Sequence, residues 1–373
     1  MKVPLSKPWI TEDDIKAVEE VLRTPHLSLG PKLPEFEKAL AKVANRKYSV
    51  AVNSGTSALH LIIRALGISE GDEVITTPFS FISSANCMLF ERAKPVFVDI
   101  DPLTLNIDVS KIEEKITPRT KAILPVDVFG HPAKWDEIKR IAQEYNLKLI
   151  EDSAEAIGAE YKGRKAGSFG DAAVFAFYPN KQITTGEGGI ILTDNKEIAI
   201  LCRSMRNQGR GEGDEWLQHS RLGYNYRISD INCALGIAQL ERIDEILKKR
   251  EGVAKMYNEK LKDVNGITLP YVSSDVKMSW FVYVIKLEER YTRKERDKVL
   301  SELRKREIGC SNYFTPIHLQ PFYHKEFGHS EGDFPVTEYI ADRTVALPFY
   351  NNLTEEKVDY VAESLVDILK SIG

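Results

Sequence analysis

The chain has 373 residues, a net charge of −4 and 43% hydrophobic residues. These values are typical of a globular protein of about two domains, and they exclude binding of nucleic acid or anionic membranes through bulk positive charge. No apolar run approaches the ~18 residues of a membrane span, and the residues after Met1 form no apolar signal core. We therefore expect a cytoplasmic protein that binds neither nucleic acid nor a membrane.

The first two-thirds of the chain alternates short β-branched runs with helical patterns, which predicts an α/β domain with a mostly parallel sheet. A first helix is expected after Thr11, whose hydroxyl can cap the amide of Asp14, and an apolar helix is expected over 58–66. Each predicted strand ends in polar or glycine-containing residues, where open α/β sheets bind ligands. The expected strands cover 48–52, 73–77, 95–100, 122–126, 148–151, 172–177 and 189–193.

After Asp194 the pattern becomes helical and then changes again. A long helix over about 229–261 is apolar at its start and charged later, and it is expected to link two domains. We predict a large α/β domain over 1–244 and a smaller α+β domain over 245–373. The elements expected in the last third are a strand over 280–287, an amphipathic helix over 293–306 and a final helix from Thr354.

The cysteines and histidines give no sign of a metal site. The four cysteines, Cys87, Cys202, Cys233 and Cys310, are far apart and form no Cys-x-x-Cys pair. Their spacing predicts reduced, mostly buried thiols rather than disulfides or a zinc site. The seven histidines show no metal-ligand spacing either, so we expect no bound metal.

Residues 175–189 are the most informative stretch of the chain. Lys181 follows an apolar, strand-like run and precedes a turn rich in threonine and glycine, which suggests an amine kept partly dry. Desolvation disfavours the ammonium form of a lysine and makes it a nucleophile that can form a Schiff base, as in pyridoxal phosphate enzymes. Taken alone, the stretch fits equally well a strand that ends in a surface lysine.

Three other segments at predicted strand ends supply groups that a phosphate-bearing, electron-poor ring needs. Residues 54–57 (Ser-Gly-Thr-Ser) open a helix, where small residues, hydroxyls and the helix N-terminus favour an anion. Asp152 directly follows a predicted strand and is the candidate partner for a protonated ring nitrogen. An aromatic residue of 78–81 could stack on the ring. Alone, these segments also fit helix caps and a core phenylalanine.

Together, these segments resemble the DegT-type aminotransferases, pyridoxal-phosphate enzymes that aminate keto-sugars attached to nucleotides. The match runs nearly end to end, and the order and spacing of its pieces are more specific than any single piece. The resemblance implies the aspartate-aminotransferase-like fold, fold type I of the pyridoxal-phosphate enzymes, with a large mostly parallel sheet and a smaller α+β domain. The matching segments are 27–31, 53–60, 71–75, 151–156, 177–181, 185–189, 223–227 and 316–321.

The resemblance also implies roles for single residues. Lys181 matches the lysine that forms the Schiff base with the cofactor, and Asp152 matches the acid that pairs with the pyridinium nitrogen. Phe81 matches the aromatic position that stacks on the ring. Gly55 and Thr56 match the loop that binds the phosphate. The family resemblance thus turns an ambiguous lysine into a predicted catalytic residue.

Other matching residues concern a second subunit and the substrate. Asn225 and the nearby Arg227 fall in a segment that similar enzymes extend into the active site of the partner subunit, so an active homodimer is implied. Tyr313 and His318 lie in the C-terminal segment that faces the sugar nucleotide in relatives. These four residues are therefore expected to act at the cofactor or the substrate.

Two residues depart from the family pattern. Many relatives have glutamine where this chain has Glu155, and a carboxylate beside the cofactor's phenolic oxygen would need a proton or an extra donor. Many relatives also have a serine that contacts the phosphate at the position of Ala176. That contact is expected to be lost or replaced in this chain.

The implied reaction is a transamination in two half-reactions. An amino donor, expected to be L-glutamate, converts bound pyridoxal phosphate to pyridoxamine phosphate, and a keto-sugar nucleotide then accepts the amino group. The turn at 184–189 is similar to that of relatives acting on 4-keto-6-deoxy sugars, such as the perosamine-forming enzymes. We therefore predict a 4-keto-6-deoxy sugar nucleotide as acceptor.

Three alternatives remain. The chain could be an aminotransferase of the same family that acts on a cyclitol or a 3-keto sugar. A related sugar dehydratase is disfavoured because that branch has histidine in place of Lys181. A non-catalytic binding or regulatory protein should have lost Lys181 or Asp152, and the chain keeps both.

Overall fold

The computed structural model describes residues 1–211, 213–215 and 217–372 of the chain. Its strands form from short runs rich in β-branched residues, whose stiff side chains pack well on a pleated surface. The strands of this described part are β1 (Tyr48–Val52), β2 (Glu73–Thr76), β3 (Lys94–Phe97), β4 (Thr120–Ile123), β5 (Lys148–Asp152), β6 (Glu160–Tyr161), β7 (Arg164–Lys165), β8 (Ala172–Ala176), β9 (Gly189–Thr193), β10 (Ile267–Thr268), β11 (Val276–Lys277), β12 (Tyr283–Leu287) and β13 (Thr344–Leu347).

The helices form where apolar residues recur every three to four positions. The first begins directly after Thr11, as expected, and the Asp14 carboxylate accepts a hydrogen bond from the Thr11 amide at 2.7 Å. The α-helices of the described residues are α1 (Glu12–Leu22), α2 (Lys32–Val43), α3 (Gly55–Ala65), α4 (Ser83–Leu89), α5 (Trp135–Glu144), α6 (Lys196–Arg206), α7 (Asp230–Glu241), α8 (Ile243–Leu261), α9 (Arg293–Lys305), α10 (Pro321–Phe327), α11 (Pro335–Ala341) and α12 (Glu355–Ile372).

The largest sheet has seven strands in the order β1-β9-β8-β5-β4-β2-β3. Strand β9 runs antiparallel to both of its neighbours, whereas the other neighbouring pairs are parallel. The predicted α/β class with a mostly parallel sheet is therefore confirmed. Because parallel strands end at the same edge, the loops after β1, β2, β4, β5 and β8 gather on one side of the sheet.

Both faces of this sheet are covered by apolar side chains. Within β1, Val50 and Val52 pack with residues of α3 and α6, whereas the intervening Ala51 packs with residues of α2 and α7. This alternation follows from the two-residue period of a strand. Trp135 and its neighbours on α5 cover the half of the sheet formed by β2, β4 and β5. The sheet is consequently a rigid, buried support for the loops at its carboxyl edge.

A second apolar cluster forms around a three-stranded sheet in the order β10-β12-β13. Buried side chains of α8, α9 and α12 complete this cluster. Val3 also packs into it, and its amide donates to the carbonyl of Glu307 at 3.0 Å. The N-terminal segment is thereby attached to the C-terminal part of the chain. The domain boundary predicted at residue 244 stays a prediction.

The long helix predicted over 229–261 is wrong in one respect, because it is two helices. Helices α7 and α8 are separated at Arg242, which has φ −119° and ψ 25°. The Arg242 guanidinium binds the Asp14 carboxylate and donates to the carbonyl of Trp9 at 2.9 Å. These contacts hold the chain beside α1, while α8 packs on α12. Helix α7 and the start of α8 thus pack in the cluster on the large sheet, whereas α8 from Val253 onward packs in the C-terminal cluster.

The strand predicted over 280–287 is shorter than expected. It begins at Tyr283, because Trp280 has a positive φ of 54°, a backbone conformation that interrupts an extended strand. The backbone between Trp280 and Tyr283 can therefore turn toward the large sheet.

Among the described helices, none is long and apolar enough to cross a membrane. All four cysteines are buried and unpaired, as predicted.

Candidate active site

A cavity of about 530 Å³ opens at the carboxyl edge of the large sheet. Its walls come from the loops that follow β1, β2, β4, β5 and β8, from the residues before β9, and from two segments of the C-terminal part. The topology therefore brings together residues that are up to 260 positions apart. The predicted site residues that line this cavity are Gly55, Thr56, Phe81, Asp152, Glu155, Lys181 and Tyr313.

The start of α3 forms one end of the cavity. Helix α3 begins at Gly55 rather than at residue 58, because the Ser54 hydroxyl accepts a hydrogen bond from the Ser57 amide at 3.1 Å and caps the helix. A Cβ atom at Gly55 would lie only 2.9 Å from the Cβ of Ala176, so a side chain would crowd this end of the cavity. The first amides of a helix have no partner inside it and favour an anion.

Lys181 extends its side chain into the cavity from the loop after β8. Its Nζ atom lies 3.3 Å from Glu155 Oε1 and 3.9 Å from the centroid of the Phe281 ring. The Lys181 side chain is 13% exposed. The next residue, Gln182, donates to the carbonyl of Glu155 at 2.6 Å and to the Ser279 hydroxyl at 2.9 Å. The amine is thus largely buried on a loop that is held from two sides.

Asp152 is the last residue of β5 and lies at the floor of the cavity. The Ser84 hydroxyl donates to Asp152 Oδ2 at 2.7 Å, and the Ala154 amide donates to Oδ1 at 3.2 Å. Burial raises the pKa of Asp152, and these two hydrogen bonds act in the opposite direction. Among the described residues, no cationic side chain forms an ion pair with Asp152 within 4.0 Å. A cationic ligand atom would therefore complete its charge balance.

Glu155 lies on the other side of Lys181. Its Oε2 atom accepts a hydrogen bond from the Phe129 amide at 3.0 Å, and Oε1 faces the Lys181 amine. Burial raises the pKa of Glu155, while the positive charge of Lys181 opposes this shift. The carboxyl that replaces the family's glutamine is thus supplied with two hydrogen-bond donors by the chain itself.

The raised pKa of Glu155 predicts how stability depends on pH. A carboxyl with a higher pKa in the folded than in the unfolded chain stabilises the fold fully below its unfolded pKa, and this contribution is lost as pH rises through the folded pKa. The stability of the parent relative to Glu155→Gln should therefore be greatest at low pH and should fall as pH rises. Thermal melts of both proteins across mildly acidic to neutral pH measure this. A difference that grows with pH would show that the attraction of Lys181 outweighs burial.

Three predicted site residues do not line the cavity of their own chain. The Arg227 guanidinium donates to Asn207 Oδ1 at 3.0 Å, and Asn225 pairs with Asn207 through a β-bridge. His318 is fully buried, and its Nε2 atom is 2.9 Å from Glu338 Oε1. Their roles at the cofactor or substrate stay predictions, and for His318 the contacts within this chain are structural ones.

Several cavity residues escaped the sequence analysis. Phe281 has no local signal, because it comes from the C-terminal part of the chain and meets Lys181 only in the folded protein. Ser84 lies three residues beyond the aromatic run at 78–81. Its hydroxyl group, close behind a predicted strand end, was a signal in the sequence that could have identified it as a site residue. Others that line the cavity are Ser83, Tyr178, Asn180, Glu187 and Phe314.

The arrangement fits pyridoxal phosphate. The N-terminus of α3 suits a phosphate, and Asp152 offers a buried carboxylate for a protonated ring nitrogen. Lys181 lies in the same cavity and supplies the amine that such a cofactor needs.

A metal site is not supported: the described residues contain no group of three or more His, Cys, Asp or Glu side chains that could hold an ion.

Comparison with known proteins agrees with this geometry. The model of the DegT/DnrJ/EryC1/StrS aminotransferase family matches residues 8–366. The GDP-perosamine synthase of Caulobacter vibrioides is 39% identical over 371 residues, which cover 99% of this chain and 98% of that protein. Helicobacter pylori PseC, an aminotransferase involved in the biosynthesis of pseudoaminic acid, is 31% identical, with a TM-score of 0.94 over 100% of both chains. Spr1654 from Streptococcus pneumoniae, a putative sugar aminotransferase solved in a PLP-form, is 28% identical with a TM-score of 0.95 over 100% of both chains.

Proposed function

Since the chain belongs to the DegT/DnrJ/EryC1/StrS aminotransferase family and is a pyridoxal-phosphate-dependent sugar aminotransferase, we propose that it transfers an amino group from L-glutamate to a 4-keto-6-deoxy sugar nucleotide. The observation that carries the catalytic part is the meeting of Lys181, Asp152 and the start of α3 in one cavity. The predicted fold type I architecture is confirmed by the solved relatives, which superimpose along the whole chain.

The residues of the cavity have different roles in the proposed reaction. When bound, pyridoxal phosphate supplies an electron-poor ring that stabilises the carbanion left when the donor's Cα loses its proton. Asp152 holds the proton on the ring nitrogen. The Lys181 amine binds the cofactor between turnovers and, once free, takes the proton from the donor's Cα. Glu155, 3.3 Å away, keeps that amine within the cavity.

Sequence similarity favours a 4-keto-6-deoxy sugar as acceptor, and the cavity walls suit a sugar. The turn at 184–189 is similar to that of perosamine-forming enzymes, and a GDP-perosamine synthase is 39% identical over nearly the full length. The cavity is also bordered by Tyr178 and Tyr313, whose rings can pack on a sugar. An aminotransferase that acts on a 3-keto sugar or a cyclitol is the second candidate, since the cavity's catalytic residues suit it equally.

A direct test uses the purified protein loaded with pyridoxal phosphate. Adding L-glutamate should bleach the visible absorption band of the bound cofactor, and adding a 4-keto-6-deoxy sugar nucleotide should restore it. The position of the new amino group is then read from the NMR spectrum of the product. A band restored only by a 3-keto sugar nucleotide or by a cyclitol ketone would support the second candidate. A cofactor band that glutamate leaves unchanged would contradict the proposed donor.

We also propose that the active form is a homodimer with shared active sites. Phe81, at the cavity mouth, is 63% exposed, and Tyr178 is exposed beside it. Exposed apolar side chains at one place are typical of a surface that another protein covers. Asn225 and Arg227 lie outside the cavity of their own chain, which suits residues that complete a partner's site. A cytoplasmic location stays a prediction.

Mixing two inactive variants tests the shared site. Lys181→Ala lacks the catalytic amine, and Arg227→Ala lacks the residue expected to cross over. If sites are shared, a mixed dimer places both changes in one site and leaves the other intact. Refolding the variants together should then restore up to about a quarter of the parent activity, half of the dimers being mixed. No recovery, with differently tagged chains showing by co-purification that mixed dimers have formed, would contradict the crossover.

Ala176 gives a prediction about cofactor affinity. Its side chain lies directly beside Gly55 at the start of α3 and lines the cavity, so Ala176→Ser adds a hydroxyl at the place where the phosphate is expected. One added hydrogen bond of about 1 kcal/mol should tighten pyridoxal phosphate binding about five-fold. The dissociation constant is measured by titrating the apoenzyme and following absorbance. Ala176→Val adds bulk without a donor and should weaken binding, whereas equal effects of both variants would contradict a hydrogen bond to the phosphate.

A further inference from the structure

Behind Asp152, two further carboxyl groups are completely buried. Asp127, Glu151 and the intervening Ser153 have no exposed surface. The Ser153 hydroxyl oxygen lies 2.5 Å from Asp127 Oδ2 and 2.8 Å from Glu151 Oε1. A hydroxyl has one hydrogen and donates one such bond, so the second contact requires a hydrogen on one of the two carboxyl groups. One of them must be a neutral acid.

The remaining hydrogen bonds identify which carboxyl carries the hydrogen. Glu151 accepts from the amides of Gly167, Phe169 and Gly170, the last two at 2.7 and 3.4 Å. Both of its oxygens are therefore acceptors, as in a carboxylate. Asp127 Oδ1 accepts from the Ala133 amide at 2.8 Å and from Trp135 Nε1 at 3.1 Å, whereas the contact recorded for Oδ2 is the Ser153 hydroxyl.

The charges around the two groups agree with this assignment. Arg46 donates to the carbonyls of Gly167 and Gly170 at 2.7 and 2.6 Å, in the same loop whose amides bind Glu151. Burial raises the pKa of Glu151, whereas the amides of Phe169 and Gly167 and the positive charge of Arg46, which also pairs with the exposed Asp194, oppose this shift. Burial and the neighbouring charge of Glu151 both raise the pKa of Asp127 well above its usual range. The proton therefore resides on Asp127.

We propose that Asp127 is a neutral carboxylic acid that donates through Oδ2 to Ser153, which in turn donates to an ionised Glu151. This chain of hydrogen bonds fixes Ser153, the residue next to Asp152. The Asp127 amide also donates to the carbonyl of Asp152 at 3.0 Å. Through this amide and through Ser153, Asp127 is a positioning residue for Asp152, the group proposed to hold the ring-nitrogen proton. This last step rests on the proposed role of Asp152.

The test compares the holoenzyme with two matched amide variants. Asp127→Asn keeps the shape of the side chain and replaces the O–H donor by an N–H donor. The infrared difference spectrum between the parent and this variant should therefore show the loss of one carboxylic-acid carbonyl band. The melting temperature should be almost unchanged. Glu151→Gln should keep that band and lower the melting temperature by about 10 °C, because its amide group opposes the backbone N–H donors. The pH dependence of the visible cofactor band should be the same in Asp127→Asn as in the parent.

Other outcomes overturn the proposal. If the infrared band is lost in Glu151→Gln but not in Asp127→Asn, the proton resides on Glu151. If the spectrum is unchanged in both variants, neither group is protonated. A shifted pH dependence in Asp127→Asn would show that Asp127 carries charge. If Asp127→Asn does not fold, Ser153→Ala replaces it: the acid band should shift, because its acceptor is lost. The infrared and melting results do not depend on activity, so failure of the proposed function would not change them.

Discussion

Replacement of Lys181 by alanine is expected to remove the visible absorption band of the bound cofactor and to lower kcat/KM by at least about 10⁴-fold. The reason is that this residue has two tasks. Among the described residues that line the cavity it provides the only side-chain amine, and after its release it moves the proton at the donor's Cα. Absorption spectra and steady-state kinetics of the two proteins, with glutamate and a keto-sugar nucleotide, measure both losses.

Lys181→Arg is the matched control for this prediction. Arginine keeps the positive charge that faces Glu155 and the Phe281 ring, but it stays protonated and is no nucleophile. It should therefore be as inactive as Lys181→Ala while binding pyridoxal phosphate non-covalently. Activity in Lys181→Arg within about ten-fold of the parent would show that charge, rather than an amine nucleophile, is what the site needs at this position.

Asp152→Asn is expected to lower kcat by about 10³-fold while leaving the fold intact. An amide cannot neutralise a protonated ring nitrogen, so the ring loses the positive charge that makes it electron-poor. The side chain is buried and receives hydrogen bonds from the Ser84 hydroxyl and the Ala154 amide. Kinetics and the visible spectrum of the loaded variant measure the loss, and its melting temperature shows that the protein is folded.

Ser84→Ala gives a graded comparison. It removes one hydrogen bond to Asp152 Oδ2 and keeps the carboxyl itself. Since burial raises the pKa of Asp152 and the Ser84 hydroxyl opposes that shift, the variant should lose activity as pH falls at a higher pH than the parent does. Its kcat at neutral pH should fall by about ten-fold. An Asp152→Asn variant no worse than Ser84→Ala would contradict the proposed role of the carboxylate.

Much of the fold follows from patterns that are local in sequence. The run at 172–177 (Ala-Ala-Val-Phe-Ala-Phe) is entirely apolar, and it forms β8 with an end one residue earlier than expected. Strands such as β1 and β9 match the predicted ranges, because a short apolar run that is buried on both faces is a local feature of the sequence. The ends of parallel strands meet at one edge in any such sheet. For this reason the sequence alone predicts that Asp152 and Lys181 lie near one another, at the ends of neighbouring strands.

Contacts between distant segments could not be inferred in this way. The break at Arg242 depends on Asp14 and Trp9, more than two hundred residues earlier. Phe281 reaches Lys181 only because the chain turns at Trp280, where φ is 54°. No periodicity of a local segment carries information on such partners.

The sequence by itself determined the class of sheet, the family, the cofactor and the candidate residues for its chemistry, because each depends on short motifs and their order. The tertiary structure alone decided how these residues are surrounded. It placed Glu155 against Lys181, left Asp152 without an ion pair in the described part of the chain, and turned His318 toward Glu338. Burial and charge balance are sums over neighbours from many segments, and these sums exist only once the chain has folded.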